Sequence, residues 1–396
     1  MSQFILSGLQ VHAEEDSYSE SSVLIQDGII HTIHPGITDK NIETFAFPAS
    51  YHLVPGFIDL HLHGANGADV MDATPEALAI ISKALAKEGT TGFLATTMAA
   101  DVQDIENTLS VIRHFVENAS QKIAGASLLG IHLEGPFLSP DKIGAHLADK
   151  IIPPDIGLMQ RWRSMAQNLI KLVTLAPEQA HSLAFIHYLC QQDIVPAIGH
   201  SNANYQTTQA AIDAGCCYIT HLFNAMRGIH QREPGVVTAA LLAEKVMVEL
   251  IVDGIHLHPA IVELAYKMKG EDNIVLVTDA IRAKCLGEGC YELGGQNVTV
   301  KAGAARLADG TLAGSILPLC TAMKNMMTFT HCPLRAAIKM TAENPAKVLG
   351  LFHRKGSIAP NKDADLVVLD DEMNVVLTLC GGKVAFSQAP VAAYFT

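Results

Sequence analysis

Eight short β-rich runs alternating with helical patterns, no glycine-rich nucleotide loop, and further β-rich runs near both chain ends predict an α/β fold. The expected architecture is a (β/α)8 TIM-type barrel with a small β-sandwich domain formed from both chain ends. The eight runs occupy residues 53–63, 91–97, 127–135, 170–177, 193–200, 217–224, 246–254 and 273–280. Between the first two, Thr74 is placed to cap a helix, Pro75 suits its first turn, Leu78, Ile81 and Leu85 share one face, and Gly89 can end it. Residues 178–192 and 204–214 carry similar helical patterning. An open doubly wound sheet would normally announce itself with GxGxxG at its first turn, and neither that motif nor GxxxxGK[ST] occurs. Outside the barrel, residues 4–11, 22–33, 357–370 and 374–386 read as strands, the second around a Gln-Asp-Gly turn. Neither end can bury a core alone, so the two are expected to pair. The division expected is 1–53 with 355–396 for the β-sandwich and 54–354 for the barrel.

The 396 residues are 49% hydrophobic and only 17% charged, which supports a large buried core and excludes a mainly disordered chain. Lys and Arg number 27 against 40 Asp and Glu, so the formal charge is 27 − 40 = −13. Such a surface repels nucleic acid and anionic lipid, and an anionic substrate has to be captured by a few aimed donors. The opening MSQFILSGLQVHAEED has no basic flank, and no apolar stretch approaches bilayer length, so a cytoplasmic protein with no membrane partner is expected. The eight cysteines form no CxxC pair, which points to reduced thiols rather than a zinc knuckle or a disulfide framework.

The chemistry collects where the strands end. FIDLHLHG, at 57–64, sets His61 and His63 one residue apart, and alternate residues of a strand face the same way. That spacing suits metal ligands, and equally two core histidines satisfied by backbone carbonyls. The other runs finish in Thr96 and Thr97, Glu134, His200, His221 with Asn224, Asp253 with His256 just beyond, and Asp279. Barrel enzymes build their sites at the C-terminal ends of strands, where residues distant in sequence converge. Glu134, His200 and His221 provide one carboxylate and two imidazoles, the donor set of many catalytic zinc sites. Asp279 is placed to take a proton from an activated water and give it to a leaving nitrogen, or else to cap the turn that follows. His132 shares the face of Glu134, as packing or as support for the ligands.

In chain order, PGFIDLHLHG, HLEGPF, GAH, GHSNA, THLFNAM, REPG, VDGIHL, VTDA and GTLAGS resemble the motifs of the N-acetylglucosamine-6-phosphate deacetylase family in the amidohydrolase superfamily. The resemblance runs from about residue 53 to 350, and the terminal segments suit that family's small β-domain. It implies hydrolysis of the acetamide of a sugar phosphate substrate, N-acetylglucosamine 6-phosphate, to glucosamine 6-phosphate and acetate. By motif, Glu134, His200 and His221 would hold the principal metal, and Asp279 would be the general acid and base. Ala145 and His146, in GAH, would meet the substrate, with His146 polarising the acetyl carbonyl or holding the sugar near it. Asn224, the backbone at Ala225, His256 and Arg232 would take the phosphate, and Leu312, Ala313 and Gly314 would wall the sugar pocket.

Arg232 would reach the neighbouring site of a homodimer, although composition alone reads it as a surface cation. The implied cofactor is a divalent metal, zinc first, then iron, cobalt or manganese. One ion is expected, and His61 with His63 would either hold a second, bridged through Glu134, or support the first from behind. A bridging carboxylated lysine would require Lys near the end of the fourth strand, where the chain instead reads LVTLAPE with Lys171 only at its start. This weighs against the rival cyclic amidases, such as those acting on dihydroorotate. Two further rivals are a deacetylase for a different acetamido sugar phosphate and an inactive metal-binding assembly module.

Overall fold

The short apolar runs become eight parallel barrel strands: Phe57–Asp59, Thr90–Thr97, Ser127–Glu134, Ile170–Leu175, Val195–Ile198, Tyr218–Ile219, Met247–Leu250 and Ile274–Leu276. The computed structural model describes residues 3–36, 41–118 and 123–388. The strands lie side by side in chain order, each hydrogen-bonded to the next, as right-handed strand–helix–strand crossovers demand. Their residues are buried almost throughout, as expected of strands with helices outside and packed side chains within. The helix Pro75–Ala86 follows its local signals. Thr74 Oγ1 accepts the Ala77 N–H at 3.2 Å, Pro75 opens the first turn, and Leu78, Ile81 and Leu85 face the core.

The barrel closes between its first and last strands. Leu62 bridges Ala280 in parallel, the His63 N–H donates to the Ala280 carbonyl at 2.8 Å, and the Asp279 N–H donates to the His61 carbonyl at 2.8 Å. Beneath this seam Asp59 is fully buried, accepting the His61 N–H at 3.2 Å on one oxygen and the Thr278 hydroxyl at 2.6 Å on the other. Closure therefore brings His61, His63 and Asp279 to one point.

Three expectations need correction. The run 53–63 is two strands rather than one: His52–Pro55 pairs antiparallel with Leu366–Leu369 in the terminal sheet, and Phe57–Asp59 enters the barrel. Gly56 stands at the break, where a Cβ would lie 2.2 Å from Thr91 Oγ1, so only glycine lets the two sheets separate so closely. The run 217–224 contributes only Tyr218–Ile219 to the ladder, because the chain turns sharply from His221 to Ala225. An unforeseen three-stranded antiparallel sheet, Gly289–Leu293, Gln296–Lys301 and Ala304–Arg306, follows the last barrel strand and buries Leu293, Val298 and Val300 in a small core of its own.

The two ends build one all-β unit. Its strands run in the order Lys383–Ser387, Val375–Cys380, Leu366–Leu369, His52–Pro55, Gln3–His12, Ser17–Gln26 and Ile29–Pro35, with Glu43–Ala46 also on Gln3–His12. It encloses a separate core that includes Leu6, Leu9, Val23, Ile25, Leu366 and Leu377. Residues 1–2, 37–40 and 389–396 of the expected terminal unit lie outside the described residues. Among the described residues no helix is long and apolar enough to cross a membrane.

Candidate active site

Glu134, the last residue of the third barrel strand, is the centre of the site. Its Oε1 lies 3.3 Å from His200 Nε2 and 3.1 Å from His221 Nε2, and these two nitrogens are 3.0 Å apart. Its Oε2 lies 3.2 Å from His61 Nε2 and 3.2 Å from His63 Nε2. Asp279 Oδ1 completes that second group at 3.5 Å from His61 and 3.3 Å from His63. Two donor sets, Glu134–His200–His221 and His61–His63–Asp279, thus meet across one carboxylate. The backbone bends to achieve it: φ is +45° at His200, +29° at His221 and +48° at Asp279, a region that side chains other than glycine seldom enter. Residues held there against their preference cluster at functional sites, and here the bend turns three strand ends inward.

The donor chemistry fits a divalent cation. His200 Nδ1 sits 2.9 Å from the Lys142 carbonyl, so it carries the proton, and the Nε2 lone pair faces Glu134. His61 Nδ1 donates in the same way to Glu249 Oε2 at 3.0 Å, which turns its Nε2 lone pair toward the centre. Ligands about 2.0–2.1 Å from a tetrahedral ion stand roughly 3.3 Å from one another, the spacing these atoms already have. In metal-free protein the imidazoles take up protons instead. Burial alone would lower His61 and His63, but the charges of Glu134 and Asp279 drive His61 well above its ordinary value and His63 up to about 9. Burial opposes ionisation of Glu134 and Asp279 as well, and the facing imidazoles still hold both below the usual carboxylate range.

A pH dependence follows for metal-free protein. The folded value of His63, about 9, exceeds its ordinary 6.5, so its stabilisation is complete below pH 6.5 and is lost as pH rises through 9. Glu134 and Asp279, held low, contribute stability that persists above their ordinary values and disappears only in acid. Chelator-treated protein should therefore melt at a lower temperature at pH 9 than at pH 6. Metal loading should restore more at pH 9, because an ion binds the deprotonated imidazoles. Thermal unfolding of both forms at the two pH values measures this.

A cavity of about 590 Å³ opens over the centre, and His63, Glu134, His200, His221 and Asp279 form its floor. His146 stands on one wall. Its Nδ1 accepts the Ala99 N–H at 3.2 Å, so the proton is on Nε2, which points toward Glu134 Oε2 at 3.8 Å. Burial and the neighbouring His200 push His146 down to about 3, which keeps it a neutral donor. Farther out, His256 Nδ1 is held by Asp253 Oδ2 at 2.6 Å, and Asp253 Oδ1 accepts the N–H groups of Ile255 and His256 at 2.8 and 2.7 Å. Asn224 and Ala225, on the turn after His221, also line the cavity, as do Ala145, Leu312 and Gly314.

Two expected residues lie elsewhere. Ala313 is fully buried in the core of the antiparallel sheet, its N–H donated to the Ala305 carbonyl. Arg232 is exposed and does not line the cavity of its own chain. His132 lies behind the ligands, its ring 4.6 Å from that of His61 and its Nε2 2.7 Å from Thr174 Oγ1. The sequence reading missed Lys142 and Arg306 at the outer wall, which sit in loop and edge segments with no motif to mark them. It also missed Glu249. The signal there was an acidic residue inside the apolar run VMVELIV.

The profile of the amidohydrolase family matches residues 52–385. The chain belongs to the amidohydrolase family. Membership in that family implies a divalent metal, which the two donor sets are built to hold. Among amidohydrolase relatives, N-acetylglucosamine-6-phosphate deacetylase of Bacillus subtilis is 42% identical over 96% of this chain and 97% of its own length. N-acetylgalactosamine-6-phosphate deacetylase of Escherichia coli O157:H7 is 35% identical over 96% of this chain and 99% of its own. A point mutant of N-acetyl-D-glucosamine-6-phosphate deacetylase from Mycobacterium smegmatis, solved with N-acetyl-D-glucosamine-6-phosphate, superimposes with a TM-score of 0.91 at 32% identity, covering 98% of this chain and 100% of that one.

Proposed function

We propose that this chain removes the acetyl group from N-acetylglucosamine 6-phosphate, giving glucosamine 6-phosphate and acetate. The observation that carries the reading is the convergence of Glu134, His200 and His221 with Asp279 and a neutral His146 on the floor and wall of one cavity. The relatives above act on this class of substrate by name. The fourth strand leaves Glu134 as the shared carboxylate, since Lys171 lies at its far end, and this disfavours a cyclic amidase of the bridging-lysine kind.

Glu134, His200 and His221 would hold the principal ion, and His61 and His63 with Asp279 would hold a second. Imidazole and carboxylate donors favour zinc, and they also accept iron, cobalt or manganese. When bound, such an ion acidifies a water toward neutral pH and polarises an amide carbonyl. Asp279, kept ionised by the imidazoles beside it, accepts the proton of the attacking water and then delivers it to the departing sugar nitrogen. His146 donates from Nε2 to the acetyl oxygen as negative charge builds there. His256, with Nδ1 committed to Asp253, presents Nε2 to the phosphate together with Asn224 and the Ala225 backbone. Arg232 completes that grip from the neighbouring subunit of a homodimer, which accounts for its exposure in the single chain. An acidic chain with no membrane-crossing helix among the described residues suits work in the cytoplasm.

The test is product identification after metal analysis, with N-acetylglucosamine 6-phosphate, N-acetylgalactosamine 6-phosphate and dihydroorotate offered in parallel. Acetate should come fastest from the first. Metal-loaded protein that releases acetate from neither sugar would overturn the reading, and a preference for the second would reassign the C4 stereochemistry. Arg232→Ala is expected to raise KM for the phosphorylated sugar by about 10-fold or more, the loss of one charge-assisted contact. The slow reaction of the unphosphorylated sugar should hardly change. Equal losses on both would remove Arg232 from the phosphate site.

A further inference from the structure

Glu249 is neither a metal ligand nor a proton carrier in the mechanism above, yet it touches both halves of the centre. It sits in the middle of the seventh barrel strand, Met247–Leu250, fully buried. Its Oε2 lies 3.0 Å from His61 Nδ1 and accepts the backbone N–H of His221 at 3.0 Å. Its other oxygen, Oε1, has the buried Tyr218 hydroxyl beside it. Burying a carboxyl costs free energy that Val or Leu at this position would avoid, so packing does not explain it.

The geometry points to Glu249 as the positioning residue of the metal centre, locking the His61 tautomer and the His221 turn with a single oxygen. This rests on the metal-centre reading above. A carboxylate can only accept, so its contact requires the proton of His61 to be on Nδ1, leaving the Nε2 lone pair for an ion. The second contact acts on backbone. His221 adopts φ +29°, and the bond from its N–H to Glu249 holds that unfavoured turn, which aims its ring at Glu134 Oε1. Because His61 belongs to one donor set and His221 to the other, Glu249 makes them a single unit.

Glu249→Leu keeps the bulk and removes both contacts, whereas Glu249→Gln can set its amide oxygen where Oε2 stands and keep both. With no acceptor beside Nδ1, the His61 proton is free to move to Nε2 and donate to Glu134 Oε2, which leaves the ring no lone pair for an ion there. The metal-stripped full-length protein and both variants should be titrated with zinc against a chromophoric chelator. Zinc affinity is expected to fall about 10- to 100-fold in Glu249→Leu and to stay near that of the parent in Glu249→Gln. Selective ¹⁵N labelling of histidine in the zinc-loaded proteins should show His61 protonated on Nδ1 in the parent and on Nε2 in Glu249→Leu, a change that a purely structural role would not produce. In a His61→Ala background Glu249→Leu should cost less affinity than in the parent, because only the His221 contact remains to be lost. If Glu249→Leu fails to fold, Glu249→Asp, which shortens the reach of the carboxylate, should still weaken zinc binding. Zinc affinity and His61 tautomer both unchanged in Glu249→Leu, beside a parent that binds zinc tightly, would overturn the assignment alone. A parent that binds no divalent ion would instead remove the metal-centre reading, and this assignment with it.

Discussion

Asp279→Asn is expected to lower kcat by about 10²- to 10⁴-fold, the usual contribution of a positioned acid and base. The ion between Glu134, His200 and His221 should stay in place. The substitution is nearly isosteric, and Asn tolerates the φ of +48° at this position better than most residues, so the turn that aims the side chain persists. What disappears is the ability to accept and return a proton. Elemental analysis alongside an acetate assay separates this from a ligand role. Loss of turnover with retained metal supports the acid and base assignment, and loss of both makes Asp279 chiefly a ligand. Normal acetate release would remove it from the mechanism.

Glu134→Ala is the more drastic change. Each oxygen of Glu134 lies within 3.3 Å of two imidazole nitrogens, so one truncation strips the shared ligand from both donor sets. Ion content is expected to fall to background after dialysis, and acetate release to the level of chelator-treated parent. Removing the carboxylate also removes the charge that raises His61 and His63, so their protonation in the metal-free variant should shift toward lower pH. His63→Ala touches only one donor set and should leave the other able to bind. Equal ion content in Glu134→Ala and the parent would end the case for this carboxylate as the shared ligand.

The residues of the central cluster could be read from sequence because barrel chemistry gathers at strand ends, and Glu134, His200, His221 and Asp279 each interrupt an apolar run there. The spacing of His61 and His63 was legible too, but their meeting with Asp279 needed the closed barrel, since it comes about through the contact of Leu62 with Ala280. Glu249 was hidden for a different reason. Its partners lie just beyond the first and sixth strands, and nothing local in VMVELIV says which way an acidic side chain in mid-strand will face. The sheet from Gly289 to Arg306 was passed over because it follows the eighth strand, where the alternation of strand and helix had already run its course. The split at Gly56 could not be seen in a run whose β signal is continuous, since only the approach of Thr91 forbids a side chain there.

The seam of the barrel sets an order of events during synthesis. Thr278 and His61 meet although they stand 217 positions apart in the chain, so a nascent polypeptide still lacking its last barrel strand has at most part of a binding site. The set of Glu134, His200 and His221 can assemble before that strand is made, whereas the set of His61, His63 and Asp279 cannot, and an ion in the latter would act as a clasp between the earliest and latest strands of the barrel. A truncated or misclosed product would be recognisable by its failure to retain metal in that second set.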